Sequence, residues 1–389
     1  MPWKRESVMD QRAKFVFEAL AGENSVTALC VLYGISRKTG YKWIARYRQG
    51  GLAALESQSR RPKHTPTATP PEVVECLLAA KEKYPNWGPK KLVRVLARKY
   101  DVVSPPAPST AGNILKREGL VKARQRRATK HPKTPCRRIP AEMPNDVWCV
   151  DYKGWFRLGN GKLCYPLTVS DLFTRYVLCC DCHDRPTYQN SYDSFNVLFN
   201  KYGLPQVIRV DNGAPFASSG LGRFSKLSAY WHHLGITVDF MDLGKPQQNG
   251  AHERMHRTLK QEATIPPAKT ILSQQKIINR WMKEYNKERP HEALEFKTPA
   301  ASYTKSHKKL PSTLTPYSYP PHYEVRAVKR SGEMKFNGCE LFVGRAFGKE
   351  LLGLVQNKKL EWMVFLGQTL LGIICPRSFS KVVPVNEVM

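Results

Sequence analysis

Three acidic residues stand in sequence surroundings that suit metal chemistry. Asp151 ends the apolar run WCVD and Asp211 ends VIRVD, and both runs have the composition of buried central strands. Glu253 lies 42 positions after Asp211 in the polar segment PQQNGAHERMHRTLKQE, which is predicted to be a helix. Two strand ends and a helix can bring three carboxylates to one point, where they would repel one another unless cations lay between them.

Hard divalent cations relieve that repulsion. Carboxylate oxygens are the ligands that Mg²⁺ prefers, and Mn²⁺ accepts the same ligands. Two ions about 3.5–4 Å apart can activate water or a 3′-hydroxyl and stabilise the leaving oxygen of an in-line phosphoryl displacement. The sequence therefore predicts a catalytic site for two ions, with Asp151, Asp211 and Glu253 as its ligands and a phosphodiester as its substrate.

Basic residues surround Glu253 on the same segment. Arg254, Arg257 and Lys260 are expected to bind a DNA backbone while the acid binds metal. Lys260 comes seven residues after Glu253, which is two helical turns along the same face.

Each acid also has an ordinary explanation. Asp151 and Asp211 would suit turns at strand ends, since turns favour Asp. Glu253 would suit an ion pair with Arg257 four residues on. Taken together, the order of the motifs favours the metal site. Lesser roles are given to the other polar residues nearby. Asp171, Asp239 and Asp242 are expected to be strand-end acids without metal, and Asn212 and Asn249 to support the metal ligands. For His252 and His256, phosphate or structural contacts are favoured, with an approach to the metal as the alternative.

The charge of the chain indicates the kind of partner. Its 389 residues include 62 Lys and Arg against 32 Asp and Glu, which gives a formal net charge of +30. Such an excess predicts a polyanionic partner, and double-stranded DNA is the one that we expect. No apolar run is long enough for a membrane span, and no signal peptide is evident at the N-terminus. We therefore expect no membrane association and a cytoplasmic, nucleoid-associated protein.

The ten cysteines are scattered, and their tightest group is the segment CCDCH. Its members are Cys179, Cys180, Cys182 and His183. Their spacings are too short for a tetrahedral zinc finger, and no second ligand pair lies nearby. Reduced thiols in a buried strand are the favoured interpretation, with structural zinc as the alternative.

Residues 1–59 are predicted to form a helix-turn-helix DNA-binding domain. Three helical segments follow one another, with Ser25 and Ser36 as N-caps of the last two and a Gly-containing turn between those helices. A small helical bundle with a solvated basic face is the alternative. In a helix-turn-helix domain, the first residues of the third helix would enter the major groove. Those residues are Arg37, Lys38, Thr39 and Lys42.

A second helix-turn-helix-like domain is predicted at 72–121, after a linker at 60–71. Its third helix is expected to be capped by Ser109 or Thr110. The residues that this helix would present to DNA are Asn113, Lys116 and Arg117. A basic linker at 122–144 follows, and its first 17 residues contain eight Lys or Arg and no acid. Such a segment is expected to follow phosphates.

The remaining chain is predicted to contain two further domains. Between 145 and 305, three consecutive strands precede alternating helices and strands, which indicates an α/β core with a mixed sheet. After a linker at 306–321, short strands alternate with turns over 322–389. That pattern predicts a small C-terminal β-barrel of about five strands. The fold class is therefore multidomain, with all-α helix-turn-helix units, an α/β core and a β-barrel.

Four motifs resemble those of the DDE transposases of bacterial insertion sequences. They are VWCVDYKG, GLPQVIRVDNGAPF, GKPQQNGAHERMHRTLKQE and YNKERPHEALEFKTPA, and the last two are the most specific. The resemblance covers nearly the whole chain and implies a retroviral-integrase-like, ribonuclease-H-like core. It implies a catalytic triad of Asp151, Asp211 and Glu253, with Lys260 in DNA positioning. The implied reaction is cleavage at the element's ends by water, followed by transfer of the 3′-hydroxyl into target DNA.

One departure from that family concerns spacing. Asp211 and Glu253 are separated by 41 residues, several more than is usual there. The Gly- and Ser-containing segment 217–228 is expected to be a loop that contains the extra residues, and loops tolerate changes of length.

The function implied by the resemblance requires two element ends to meet. We therefore expect a homodimer or a larger synaptic oligomer on DNA. A catalytically silent DNA-binding repressor is the alternative function. A nuclease acting on RNA–DNA hybrids is disfavoured, because A-form duplexes lack an accessible major groove for helix-turn-helix units.

Overall fold

The computed structural model describes residues 7–57, 68–121, 139–242, 246–374 and 382–384. The chain divides into two compact units, Met1–Ala68 and Thr69–Met389. Most of the first expected linker (60–71) and residues 122–138 of the basic linker lie outside the described residues. Within the described part of the chain, no helix is both long and apolar enough to cross a membrane.

The first unit contains three helices, α1 (Val8–Ala21), α2 (Val26–Leu32) and α3 (Arg37–Gly50). The expected caps are present, since Ser25 accepts a hydrogen bond from the Ala28 N–H and Ser36 from the Thr39 N–H. The helices pack around a small apolar cluster, and α3 approaches the other two closely at Gly40. A Cβ atom there would lie 2.6 Å from the Cys30 Sγ, so any other residue would force the Cys30 side chain to move. The cluster consists of Phe15, Val16, Leu29, Cys30, Ile44 and Leu55.

The second unit begins with another three-helix group, α4 (Pro71–Lys83), α5 (Pro89–Lys99) and α6 (Pro108–Arg117). The expected cap of α6 is wrong. The helix begins at Pro108, with Ala107 at the N-cap position and no side-chain cap. Proline suits the first helical position because its fixed φ is helical and its missing N–H is not needed there.

The α/β core has a mixed sheet. Its strands are β1 (Val147–Tyr152), β2 (Phe156–Arg157), β3 (Leu163–Asp171), β4 (Val177–His183), β5 (Val207–Val210) and β6 (Thr237–Phe240). The order across the sheet is β4-β3-β1-β5-β6, and the short β2 pairs with the start of β3. β1 is antiparallel to β3 and parallel to β5, and β5 is parallel to β6. The mixed α/β core expected from the sequence is confirmed.

Helices cover both faces of this sheet. α7 (Tyr188–Tyr202) and α8 (Lys226–His233) contribute to one apolar cluster, and α9 (Gly250–Ala263) and α10 (Ile271–Lys287) contribute to another. The short helix α11 (Pro299–Ser302) follows. Cys179 belongs to the first cluster and Cys180 to the second, since neighbouring strand residues point to opposite faces. Both thiols are buried strand thiols, as expected, whereas Cys182 at the end of β4 is half-buried.

The helical group α4–α6 contacts the end of α10. The Tyr84 hydroxyl donates to Glu288 Oε2 at 2.7 Å, and Lys99 forms an ion pair with the same carboxylate. The Arg289 guanidinium lies 5.4 Å from the centre of the Trp87 ring. These contacts place α5 beside the C-terminal end of α10.

The C-terminal region is built from strands. β7 (Glu324–Ala327), β10 (Leu351–Gln356), β11 (Trp362–Leu366), β12 (Thr369–Ile374) and β13 (Val382–Pro384) form an antiparallel sheet in the order β13-β12-β11-β10-β7. β8 (Glu333–Phe336) and β9 (Cys339–Phe342) form a separate hairpin. The pairings among the described residues do not join β13 to β7, so the closed barrel stays a prediction.

The segment 217–228, expected to be a loop, is folded against the C-terminal sheet. It contains a short 3₁₀ turn, Leu221–Arg223, and the first residues of α8. Leu221 and Phe224 are buried in the same apolar cluster as the C-terminal strands. The extra residues therefore pack against the C-terminal strands. A local sequence pattern does not show this contact, because those strands come more than 100 residues later.

Candidate metal and nucleic-acid site

The sheet topology places two of the predicted acids side by side. Val150 of β1 and Val210 of β5 are register partners in a parallel pair. Asp151 and Asp211 come directly after them in sequence, at the same carboxyl edge of the sheet. Glu253 lies in the first turn of α9, after the 3₁₀ turn Pro246–Asn249.

Within the described part of the chain, one group of acidic, histidine or cysteine side chains is placed to share a metal ion. It consists of Asp151, Glu253 and His256, whose ligand atoms all lie within 4.8 Å of one another. Asp211 is outside this group. Its Oδ1 accepts a hydrogen bond from the Gly213 N–H at 3.1 Å, yet its charge reaches Asp151.

Electrostatics supports a cation at this point. Burial is the largest cause, and together with the charges of Asp211 and Glu253 it raises the pKa of Asp151 to about 8, while Lys153 acts in the opposite direction. Without a cation, the fully charged set of acids is therefore disfavoured at neutral pH. Carboxylate oxygens fit Mg²⁺ or Mn²⁺, so the residues present suit the metal that the sequence predicts.

A hydrogen-bond network behind Asp151 orients two histidines. The Thr168 hydroxyl donates to the Asp151 carbonyl at 2.8 Å. The same oxygen lies 2.8 Å from His252 Nε2 and 2.7 Å from His256 Nε2. Because a hydroxyl has one proton, both imidazoles must donate to Thr168 through Nε2–H. His252 Nδ1 then accepts from the Ser170 hydroxyl at 2.7 Å.

His256 is left with an unprotonated Nδ1 facing the acids. That atom lies 3.7 Å from Asp151 Oδ2. Burial lowers the pKa of His256 to about 2 and that of His252 to about 3, so both rings are neutral. The short distance is therefore not an ion pair, since a neutral imidazole has no charge to contribute. The sequence favoured a phosphate or structural contact for His256 over an approach to the metal, whereas the structure places its Nδ1 beside the carboxylates.

The predicted basic residues of α9 fall on a neighbouring face. Arg254 and Arg257 line a cavity of about 640 Å³, and Lys260 is exposed further along the helix. Lys91, Arg175 and His291 line the same cavity, although sequence patterns did not indicate them. A local pattern could not find them, because they come from α5, from the turn between β3 and β4 and from the segment after α10.

The other acids have structural partners. Asp171 is buried and accepts hydrogen bonds from the N–H groups of Asn145 and Thr174. Asp239 pairs with Arg209, and Asp242 accepts from the Gln248 side chain. None of these three acids belongs to the metal-binding group found among the described residues.

The two asparagines next to the acids differ in their contacts. Asn212 donates to the Met241 carbonyl and accepts from Arg223, so it holds the chain after Asp211. The Asn249 Oδ1 is buried without a hydrogen-bond partner among the described residues. Neither side chain belongs to the group around Asp151.

The helix-turn-helix candidates lie on exposed surfaces of their own units. Arg37, Lys38 and Lys42 are exposed on α3, whereas Thr39 is half-buried and its hydroxyl contacts that of Ser36 at 2.9 Å. On α6, the corresponding candidates are all exposed: Asn113, Lys116 and Arg117. Their contacts with DNA remain predictions.

Family models match most of the described chain. Two models of an integrase core domain match residues 141–246 and 234–299. A helix-turn-helix model matches residues 11–63, and a homeodomain-like model matches 39–115. The two halves of the α/β core and the N-terminal helices are thus recognised separately.

Two insertion-element proteins are similar to part of the chain. An uncharacterized IS136 protein from Agrobacterium fabrum is 30% identical over 164 residues, which are 39% of this chain and 79% of that protein. An uncharacterized IS407 protein from Burkholderia multivorans is 27% identical over 158 residues, which are 40% of this chain and 54% of that protein. The chain thus spans about half the length of one relative and about four-fifths of the other.

Among solved structures, one that is similar is the HTLV-2 integrase catalytic core domain in complex with magnesium. It is 17% identical with a TM-score of 0.34, over 42% of this chain and all of that one.

Proposed function

The chain belongs to the insertion-sequence transposases with an integrase-like core and helix-turn-helix domains, and from that premise we propose a specific activity for it. It binds the terminal inverted repeats of its own element. It then catalyses metal-dependent strand cleavage at the element's ends and transfer of the strand into target DNA. The supporting observation is the group formed by Asp151, Glu253 and His256, with Asp211 close enough to raise the pKa of Asp151.

The proposed division of labour follows the chain. Residues 1–121 bind the element's ends, residues 145–305 cut and join DNA, and residues 322–389 contact DNA or another subunit. Assembly on two ends makes the active form a dimer or a larger oligomer.

The residues of the core have distinct parts in the proposed mechanism. Asp151, Asp211 and Glu253 would hold two Mg²⁺ ions, which supply activation of water or of a 3′-hydroxyl when bound. Thr168 fixes the strand end through the Asp151 carbonyl and orients the histidines behind it. The guanidinium groups of Arg254 and Arg257 would position a phosphate backbone beside the acids, where they lower the energy of a bound phosphodiester.

A strand-transfer assay tests the proposal. The inverted repeats that bracket this gene supply labelled element ends, which are incubated with the full chain, a plasmid and Mg²⁺. Joined product should form with the parent protein and be lost in Asp151→Asn, Asp211→Asn and Glu253→Gln. Tight binding of the ends with no cutting by the parent would contradict the proposal and indicate a repressor.

A further inference from the structure

We propose that His256 is a nitrogen ligand of the metal site, binding through Nδ1 beside the carboxylates of Asp151 and Glu253. The inference rests on the proposed metal site and names a ligand beyond its three acids. The positions of the three ligand atoms, all within 4.8 Å of one another, are its starting point.

The orientation of the ring is fixed from behind. Nε2–H donates to the Thr168 hydroxyl, whose own proton is used by the Asp151 carbonyl. This arrangement selects the tautomer in which Nδ1 has a free lone pair. A metal-binding histidine usually donates its other ring N–H to a fixed acceptor, which sets the ring's orientation and raises its basicity. Thr168 is fully buried, so water does not compete for that hydrogen bond.

The position of His256 on α9 explains how ring and acid act together. Residues three apart on a helix lie on neighbouring positions of one face, so Glu253 and His256 project toward the same point. Glu253 is exposed at the mouth of the site, whereas His256 is only 4% exposed. The site therefore has an open carboxylate side and an enclosed nitrogen side.

A nitrogen ligand changes which metals bind well. Imidazole suits divalent transition metals, of which Mn²⁺ binds most weakly, whereas Mg²⁺ favours oxygen ligands. We expect the parent protein to bind Mn²⁺ with a preference over Mg²⁺ that His256→Asn reduces by about tenfold, the scale on which the surroundings of a metal site act.

Pulsed electron paramagnetic resonance of the full chain loaded with Mn²⁺ tests this ligand directly, without any enzyme assay. A coordinated imidazole nitrogen modulates the electron spin echo. The modulation should be present in the parent, vanish in His256→Asn and remain in His307→Asn, which alters an exposed histidine elsewhere. If the parent binds Mn²⁺ without nitrogen modulation, His256 is not a ligand, and the proposed metal site itself is unaffected. Failure of the parent to bind Mn²⁺ would overturn the metal site as well.

A different observation points to a second site, on the neighbouring face of α9. The cavity of about 640 Å³ described above has a strongly cationic lining. Its acidic lining residue, Glu292, already forms an ion pair with Lys90. The basic side chains of the lining come from four parts of the fold: Lys91, Arg175, Arg254, Arg257 and Arg289.

Two polar atoms of this cavity are buried without a hydrogen-bond partner among the described residues. They are the Arg175 Nη1 and the His291 Nε2. Arg289 is different, because it donates to both carboxylate oxygens of Glu262. Burial and then the charge of Arg289 lower the pKa of Lys91 to about 8, as expected for a cation held beside other cations. An unsatisfied buried donor is costly, so an anion in the cavity that accepts from the Arg175 Nη1 would be favoured there.

The geometry points to a phosphate group of a DNA backbone as that anion. Lys91 lies on α5 of the second helical group, and Arg254 and Arg257 lie on the helix of the candidate metal site. A DNA backbone that binds α4–α6 and extends to the acidic residues would pass Lys91 and then the two arginines of α9. This site therefore rests on the proposed DNA binding and would fix the position of DNA between the helices and the core.

The salt dependence of DNA binding tests this site. The affinity of the full chain for a short mixed-sequence duplex is measured by fluorescence anisotropy over a range of NaCl concentrations. Each lost phosphate contact lowers the slope of log affinity against log salt by about 0.9. Arg175→Gln and Lys91→Gln should each lower it by about that amount. Arg175→Lys should restore much of it, and Lys201→Gln, on the other sheet face, should leave the slope unchanged.

Inorganic phosphate distinguishes the two sources of the anion. Calorimetric titration of the parent and of Arg175→Gln with phosphate shows whether the free ion occupies the cavity. Phosphate binding that is lost in Arg175→Gln, with an unchanged DNA slope, would assign the cavity to a small anion and overturn the DNA contact. Unchanged slopes in both Arg175→Gln and Lys91→Gln, without phosphate binding, would overturn the site altogether. A parent that binds no DNA would instead contradict the proposed function.

Discussion

The two faces of α9 border clusters of opposite charge. On one face, Glu253 and His256 meet Asp151, where burial and neighbouring acids raise the pKa of a carboxyl group. On the other face, Arg254 and Arg257 border a cavity where burial and neighbouring cations lower the pKa of Lys91. A cation would stabilise the first face and an anion the second. The complementary partners that we propose are a metal ion for the first face and a DNA phosphate for the second.

The comparison also explains the composition of the helix. A single carboxylate among basic residues would ordinarily indicate a surface ion pair, such as Glu253 with Arg257. Within the described residues, no ion pair between these two is present. Instead, Glu253 faces the other acids and Arg257 faces the cavity. Acidic and basic residues that alternate along the sequence of α9 thus lie on two different faces of the helix.

The largest effect is expected from removing the carboxylate of the acidic face. Glu253→Gln keeps the shape of the side chain but removes a metal ligand, and strand transfer should fall by roughly a thousandfold, the scale of losing a preorganised electrostatic group. The measurement is joined product per unit time with labelled element ends. Glu295→Gln, an exposed acid, is the matched control. Equal activity of Glu253→Gln and the control would remove the acidic face from the chemistry.

The next effect concerns stability without metal. The folded pKa of Asp151, about 8, lies above its ordinary value near 3.9. The folded state therefore retains the proton over this interval, and the stability of the metal-free core falls as pH rises from about 4 to 8. Asp151→Asn should remove that fall and raise the melting temperature by several degrees at pH 8 in EDTA.

Thermal unfolding with and without Mg²⁺ measures this effect. Mg²⁺ should raise the melting temperature of the parent at pH 8 and change that of Asp151→Asn much less. A parent whose melting temperature in EDTA is the same at pH 5 and pH 8 would show that the acids do not repel one another as described.

A smaller effect is expected from the residue that orients His256. Thr168→Val keeps the volume of the side chain but removes the acceptor for both imidazole N–H groups, so Mn²⁺ affinity should fall by about tenfold. Thr168→Ser retains the hydroxyl and should restore the affinity. Titration calorimetry with Mn²⁺ gives the comparison, and equal affinities of the Val and Ser variants would separate Thr168 from the metal site.

The smallest effect belongs to the basic face and depends on pH. Lys91 is charged below pH 8 and loses its proton above it, so its contribution to phosphate binding should weaken between pH 7 and pH 9. The salt slope of DNA binding should then fall by less than about 0.9 over that range. Lys91→Arg stays charged and should show no such change. A parent and variant with the same pH dependence would exclude Lys91 from the phosphate contact.

The positions of the acids could be predicted from the sequence because local patterns determine them. Apolar runs before Asp151 and Asp211 indicate central strands, and the parallel pairing of β1 and β5 then places both residues at one edge. The caps Ser25 and Ser36 were likewise correct, since capping depends on a few adjacent residues. The start of α6 was predicted wrongly, because the helix begins with proline at its first position and has no side-chain cap.

Features that depend on distant residues could not be predicted. The neutrality and orientation of His256 require Thr168, which comes 88 positions earlier. The cationic cavity combines Lys91 with Arg175 and His291, and no periodic pattern connects these three. Closure of the C-terminal sheet into a barrel stays a prediction, because the alternation of apolar and polar residues along strands does not specify which strand edges pair.

The packing of Leu221 and Phe224 against the C-terminal sheet has a practical consequence for dividing the chain. A catalytic fragment cut before residue 322 would expose both side chains, together with the apolar side of the segment that replaced the expected loop. Exposed apolar surface of this kind promotes association between copies. A fragment that retains both α4–α6 and the C-terminal strands, as the compact unit Thr69–Met389 does, is therefore the better starting material for crystallisation and for metal titrations.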